Sequence, residues 1–130
     1  MSQTFKFKVL QINTNRSRPV QDLALTKAVE LGAAVIAVSE PNKNSIRLRK
    51  DLIKDEKLDV GIKVLDSKVP IKSIRQKSGY VSIELNSLTI YSCYRSGNED
   101  LTRMLDEISD QIRTIQNGTV VTVDINAKSP

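Results

Sequence analysis

The sequence predicts an α/β domain: a mixed β-sheet with flanking helices, in the order β-α-β-(loop/helix)-β-β-β-α-β. Three observations carry that prediction. Several apolar runs rich in Val and Ile are bounded by polar residues, as buried strands are. Two other segments repeat their apolar residues at helical spacing. Two alternating runs are joined by Asn86-Ser87 alone, which is the spacing of an antiparallel hairpin.

The first strand starts in the alternating run Phe5-Lys6-Phe7-Lys8-Val9, stays apolar through Ile12 and meets Asn13. Residues 13 to 19 make a polar turn that holds Arg16 and Arg18. Val20, Leu23, Ala24, Ala28 and Leu31 then recur as the apolar stripe of a helix, with Gly32 as a cap just past its last turn. The run from Ala34 to Ser39 is the second strand and ends at Glu40. Strand-helix-strand order favours a parallel pair. Pro41 to Lys57 is charged and loosely patterned. It reads either as a solvated loop with a short helix or as a phosphate-contacting lip beside Glu40.

Leu58 to Leu65, with Gly61 inside, is a further strand, followed by a polar, basic connection through Lys77. Tyr80 to Leu85 and Leu88 to Cys93 are the arms of the hairpin. Asn98 can cap the second helix, with Glu99 and Asp100 favoured in its first turn by the helix dipole. Leu101, Met104, Leu105, Ile108, Ile112 and Ile115 form its core-facing stripe. The run from Thr119 to Val123 is the last strand and delivers Asp124, with Asn126 two residues on.

Composition excludes several chemistries. The 130 residues contain no histidine, so no Ser-His or Cys-His pair can form within them. One cysteine, Cys93, excludes an intramolecular disulfide and leaves zinc only one good ligand. Its place in an apolar strand reads as a packed thiol. No apolar stretch is long enough to span a bilayer, no secretory leader is visible, and nuclear or cytoplasmic residence is expected. The formal charge of +5 suits a polyanionic partner such as DNA and equally a solvated basic surface.

Three strands thus end in oxygen donors: Asn13, Glu40 and Asp124. Each alone is consistent with a turn or a solvated strand end. Together they describe a hard, oxygen-lined site suited to Mg²⁺ and phosphate. The residues that carry a resemblance are Leu10-Gln11-Ile12-Asn13-Thr14-Asn15-Arg16-Ser17, Ser39-Glu40-Pro41, Ser78 to Glu84, Tyr91-Ser92-Cys93-Tyr94, and Asp124-Ile125-Asn126-Ala127-Lys128-Ser129-Pro130. In that order they resemble the endonuclease/exonuclease/phosphatase superfamily, and within it the apurinic-like endonuclease domains of insect non-LTR retrotransposons.

The resemblance implies roles. Glu40 matches the metal-binding glutamate, and Asn13 the asparagine that supports the metal site, with Mg²⁺ as cofactor. Tyr94 matches the tyrosine on the scissile phosphate. Asp124 matches the aspartate near the attacking water or leaving oxygen, and Asn126 the asparagine that holds the phosphate or orients Asp124. Asn15 falls where relatives carry an aspartate. Independently of the resemblance, Arg16, Arg18, Lys43 and Arg95 lie in loops after strand ends or beside motif residues and read, with Asn15, either as a DNA-facing edge or as ordinary surface. These roles agree with what in-line attack on a phosphodiester requires, namely charge stabilisation, fixed donors and a base.

The resemblance also implies a four-layered α/β sandwich, of which residues 1–130 would be about half, a single truncated domain. The family's aspartate-histidine pair would lie beyond the last residue here. Thr122-Val123 replaces glycines, Ile125 a common Phe or Leu, and Asn42 an aromatic. Three readings follow: an inactive fragment or decayed copy of a retrotransposon nuclease, a domesticated non-enzymatic binding module, or a nuclease completed by another chain. With most of the second sheet expected to be missing, the first would have an uncovered face. A homo-oligomer or protein partner is then expected to cover it, and no membrane partner.

Overall fold

The computed structural model describes residues 8–86, 88–96, 101–115 and 118–126, with the side chains of 95, 96, 101 and 123–126 outside that description. The described elements are β1 (Val9–Asn13), α1 (Arg18–Glu30), β2 (Val35–Ser39), α2 (Lys43–Leu48), β3 (Ile53–Lys54), β4 (Val60–Val64), β5 (Ser73–Gln76), β6 (Tyr80–Glu84), β7 (Leu88–Ser96), α3 (Leu101–Ile112) and β8 (Gly118–Asn126). Residues 5–7 of the expected first strand and the expected cap residues 98–100 fall outside the described residues.

Two four-stranded sheets result, ordered β1-β2-β4-β3 and β5-β6-β7-β8. The expected parallel pair is present, with Val9 opposite Val35 and Asn13 opposite Ser39. The expected hairpin is present too, from Tyr80 opposite Cys93 to Glu84 opposite Thr89. Its two-residue loop is closed by the Leu85 N–H donating to the Leu88 carbonyl at 2.8 Å. Strands β7 and β8 run parallel, Leu88 opposite Gly118 and Tyr94 opposite Asp124.

Alternation along each strand decides which face is inner. Val35 and Ala37 of β2, Val60 and Ile62 of β4, Val81 and Ile83 of β6, and Ile90 and Tyr94 of β7 meet in one core between the sheets. On the outer side of the first sheet, Ala24, Leu25 and Ala28 of α1 pack on Ile36 and Val38. On the outer side of the second, Met104 and Ile108 of α3 pack on Tyr80, Tyr91 and Cys93. The layers are therefore helix, sheet, sheet, helix. Each fully buried Val or Ile side chain in them contributes roughly 1.5–3 kcal/mol.

This corrects the expected uncovered face. The second sheet is four strands wide because β5 and β8 flank the hairpin, and its inner residues cover the first sheet. The physical reason for requiring a partner to cover an apolar face is removed. The strand count also rises, since β3 and β5 arise in segments read as loop and connection.

Helix α1 forms where expected, but rotated. Val20, Leu23 and Leu31 of the predicted stripe are exposed, while Gln21 and Leu25 are buried beside Ala24 and Ala28. Its end is as read. Gly32, at φ +70°, sits past the Leu31 cap, and the Gly32 and Ala33 N–H groups donate to the Val29 and Ala28 carbonyls at 3.0 Å.

The charged segment from Pro41 to Lys57 forms the short helix α2, capped by Asn42, whose Oδ1 accepts from the Ser45 N–H at 3.0 Å. Two cations of the supposed lip act within the fold. Arg49 grips both carboxylate oxygens of Asp51, and Lys54 Nζ donates to the Ile46 and Arg47 carbonyls at the end of α2.

Candidate functional site

The parallel register brings the ends of β1 and β2 side by side, so Asn13 and Glu40 leave adjacent strands at one edge. Asn13 is exposed, and its Oδ1 accepts the Asn15 N–H at 2.8 Å, an Asx turn that bends the chain out of the strand. Asn15 and Arg16 then both take left-handed backbone, at φ 51° and 59°. Thr14, fully buried, donates its hydroxyl to the Glu40 carbonyl at 3.0 Å.

Glu40 is itself left-handed, at φ 49°. For a residue with a Cβ such backbone costs on the order of 1–3 kcal/mol and persists only where neighbours hold it. Here they do. The Glu40 N–H donates to the Asp59 carbonyl at 2.9 Å, and the Glu40 carbonyl accepts the Arg16 N–H at 2.6 Å. Glu40 as a residue is 9% exposed, and Tyr94 Oη donates to its Oε1 at 2.6 Å. That hydrogen bond links the first sheet to the second. Charge-assisted bonds of this kind are short and roughly twice as strong as neutral ones.

Arg16 fastens the corner. Nη1 donates to the Pro41 and Leu58 carbonyls at 3.2 and 3.0 Å, and Nη2 pairs with Asp59 Oδ1 at 2.7 Å. The guanidinium carbon stands 5.8 Å from the Tyr94 ring centre, within cation–π range. Leu58, whose carbonyl takes part, is left-handed at φ 60°. All four left-handed non-glycine residues among the described residues thus meet at this one corner. Lys43 lies 3.8 Å from the same Asp59 carboxylate. Asn42 Nδ2 donates to the Arg16 carbonyl, so the position where an aromatic was expected holds a cap that also braces the loop.

The remaining predicted site residues fall as follows. Arg18 is exposed at the first position of α1, and Asn15 is exposed on the strained loop. Asp124 stands opposite Tyr94 on the neighbouring strand, Arg95 opposite Ile125, and Asn126 opposite Ser96. The side chains of Arg95, Asp124 and Asn126 lie outside the described residues. The structure therefore joins Asn13, Asn15, Arg16, Glu40, Lys43 and Tyr94 around one corner and brings the backbone of Asp124 beside it.

Sequence reasoning missed Asp59 and Thr14. Thr14 sat within a quoted motif as a filler, and nothing near Asp59 in sequence signals an ion pair to a residue 43 positions earlier. Among the described residues there is no group of three or more His, Cys, Asp and Glu side chains. A donor set of one carboxylate and one carboxamide fits Mg²⁺, which takes one or two protein carboxylates and completes its shell with water and substrate phosphates.

Two face-to-face mixed sheets under outer helices, with a buried carboxylate at a parallel strand end, define a layered α/β sandwich. A solved structure of the endonuclease domain of TRAS1, a telomere-specific non-LTR retrotransposon, shares that fold with a TM-score of 0.76 at 18% identity. The match covers 95% of this chain and 61% of that domain, so this chain spans about three fifths of its length. Neither a protein-family model nor a curated protein sequence matches the chain.

Proposed function

We propose that this chain is the metal- and phosphate-holding part of a Mg²⁺-dependent DNA-nicking phosphodiesterase, derived from a retrotransposon endonuclease. The observation that carries the reading is the convergence of four left-handed residues on a buried carboxylate bonded to Tyr94. Backbone strain gathers where a site must be held ready, and here it holds one hard ligand at the junction of two sheets.

Glu40, supported by Asn13, would hold the cation, whose chemistry when bound is to stabilise charge on the non-bridging phosphate oxygens. Tyr94 orients the Glu40 carboxylate and presents its hydroxyl at the position a scissile phosphate would take. Asp124 and Asn126 supply the acid–base and phosphate-orienting groups from the strand beside Tyr94. Arg18 and Asn15, both exposed, would meet the DNA backbone, with Arg95 on β7. Arg16 and Lys43 belong to this reading mainly through Asp59. No histidine occurs in the 130 residues, so the aspartate–histidine base is not supplied by them, and we infer that these residues alone do not turn over substrate.

Mn²⁺, a paramagnetic surrogate for Mg²⁺, tests the metal reading by amide line broadening. Broadening centred on residues 13, 40 and 94 that disappears in Glu40→Gln supports it. Uniform or absent broadening removes it. Plasmid nicking with Mg²⁺ tests the second half, since nicking abolished by Glu40→Gln would mean that these residues complete a working site.

The alternative, a non-enzymatic binding module acting through DNA, a protein partner or a second copy, keeps the same fold. The internal use of Arg16 weakens its basic-edge form, and the covered inner faces weaken its sheet-docking form.

A further inference from the structure

The outer face of the second sheet carries a feature that the corner described above does not use. Beside the C-terminal end of α3, a groove of about 620 Å³ opens over β5, β6 and β7. That volume suits a small molecule. Its floor follows from strand register. Ser73 lies opposite Glu84, and Glu84 opposite Thr89. Arg75 lies opposite Ser82, and Ser82 opposite Tyr91. Two parallel rows of polar side chains therefore cross three strands on the outer face.

The floor is rigid and the rim is charged. Tyr91 Oη donates to Gln111 Oε1 at 2.8 Å, Gln111 Nε2 donates to Tyr80 Oη at 2.9 Å, and Tyr80 Oη donates to Glu107 Oε1 at 2.8 Å. Burial, with Glu107 beside it, pushes the Tyr80 phenol up to about 12, and burial raises Tyr91 as well, so both stay neutral. Ser82 and Thr89 are buried hydroxyl residues on the floor. Ser73 Oγ donates to Glu84 Oε1 at 3.0 Å. Lys72 and Arg75, both exposed at the rim, form no ion pair among the described residues.

We propose that this groove binds a sugar phosphate, with Arg75 and Lys72 on the phosphate and Glu84 with the floor hydroxyls on the sugar. A guanidinium presents a planar fork to phosphate oxygens, while a carboxylate accepts hydrogen bonds from sugar hydroxyls. The charged residues that line the groove are Lys72, Arg75 and Glu84, with Glu107 behind Tyr80, so its open rim is net positive, which favours an anion. The groove is separate from the corner around Glu40. Thr89 lies five residues before Tyr94 on β7, a span of about 17 Å, and on the opposite face of the sheet.

Titration of the isotope-labelled chain with ribose 5-phosphate, followed by amide chemical shifts, tests the site. Shifts are expected at Arg75, Ser82 and Thr114, with affinity about tenfold weaker in Arg75→Gln, the loss for one charge-assisted contact. Arg75 is an exposed edge-strand residue, so that variant keeps the fold. The same shifts in Glu40→Gln separate this site from the proposed metal site, whatever becomes of the latter. A short single-stranded oligonucleotide distinguishes the source: tighter binding than ribose 5-phosphate through the same amides identifies a nucleic-acid strand, and weaker binding a free metabolite. Absence of shifts at millimolar ligand overturns the proposal. So does equal binding of inorganic phosphate, which would leave the sugar unrecognised, or an unchanged affinity in Arg75→Gln.

Discussion

Removing the Tyr94 hydroxyl takes a 2.6 Å donor from the carboxylate of Glu40, a residue that is 9% exposed. A hydrogen bond to a charged, buried group is worth about 1.5–3 kcal/mol, so Tyr94→Phe is expected to lose about 2 kcal/mol in urea unfolding. A loss below about 0.5 kcal/mol would mean the bond adds nothing beyond what water supplies. Asp51 tests a different balance. Its bidentate bond from Arg49, with help from Lys63, holds its carboxyl well below the usual carboxylate range. A depressed carboxylate stabilises the fold above its unfolded value and loses that contribution as pH falls through its folded value. Asp51 is 41% exposed, so solvent screening limits the gain to roughly 0.5–1 kcal/mol. Asp51→Asn should show that deficit in unfolding free energy at pH 7, shrinking steadily below about pH 4. A deficit independent of pH would assign the loss to something other than charge. Residue roles were the least legible part of the sequence. Arg16 sits in a motif beside Asn13, which suggested a DNA contact. Its partners are carbonyls at 41 and 58 and the carboxylate at 59, a convergence that only the fold creates.

Helix α1 shows why periodicity found the element and missed its face. Counting apolar residues selects Val20, Leu23 and Leu31, yet the contact surface is made of small alanines, Leu25 and a glutamine. Gln21 is fully buried because its amide is used on both ends, accepting the Asn42 N–H at 2.9 Å and donating to Ser45 Oγ at 3.2 Å. No apolar count includes such a residue. The two faces are separable by mutation. Leu25→Ala should cost about 3 kcal/mol, in the range of buried leucine truncations, whereas Leu23→Ala at a site 61% exposed should stay within about 0.5 kcal/mol in thermal or urea unfolding. Equal losses would restore the predicted stripe. Strand β5 was missed for the opposite reason. All four of its residues are exposed, so it shows none of the alternation by which half-buried strands are recognised. The hairpin, the parallel pair and α3 were legible because each buries one face. Met104 and Ile108 sit in the α3 core, as their spacing requires, although Leu105 of the same stripe is 39% exposed.

At the scale of the molecule the two sheets share one apolar core between them, in addition to the cluster each forms with its own outer helix. Native-state hydrogen exchange should therefore give the amides of β2 and β6, interior strands of different sheets, the same opening free energy. Two distinct values would mean that the sheets unfold separately. The class of architecture was readable because strand order, helix spacing and the ends of apolar runs all pointed one way. The width of the second sheet was not, since β5 and the pairing of β8 leave no local mark.

The four strands that bound the two sheets differ in kind. Strand β3 is two residues long and β5 is polar with Arg75 in its middle, both protections against unwanted pairing. Strands β1 (Val9–Asn13) and β8 (Gly118–Asn126) have one neighbour each among the described residues and no lysine or arginine between their ends. Among the described residues each sheet is thus guarded along one border and unguarded along the other. Strand addition on warming is expected at the borders without a lysine or arginine, and Val121→Lys on β8 is expected to slow the rise of light scattering in concentrated samples. Any strand addition is thereby directed to the two border strands without a lysine or arginine.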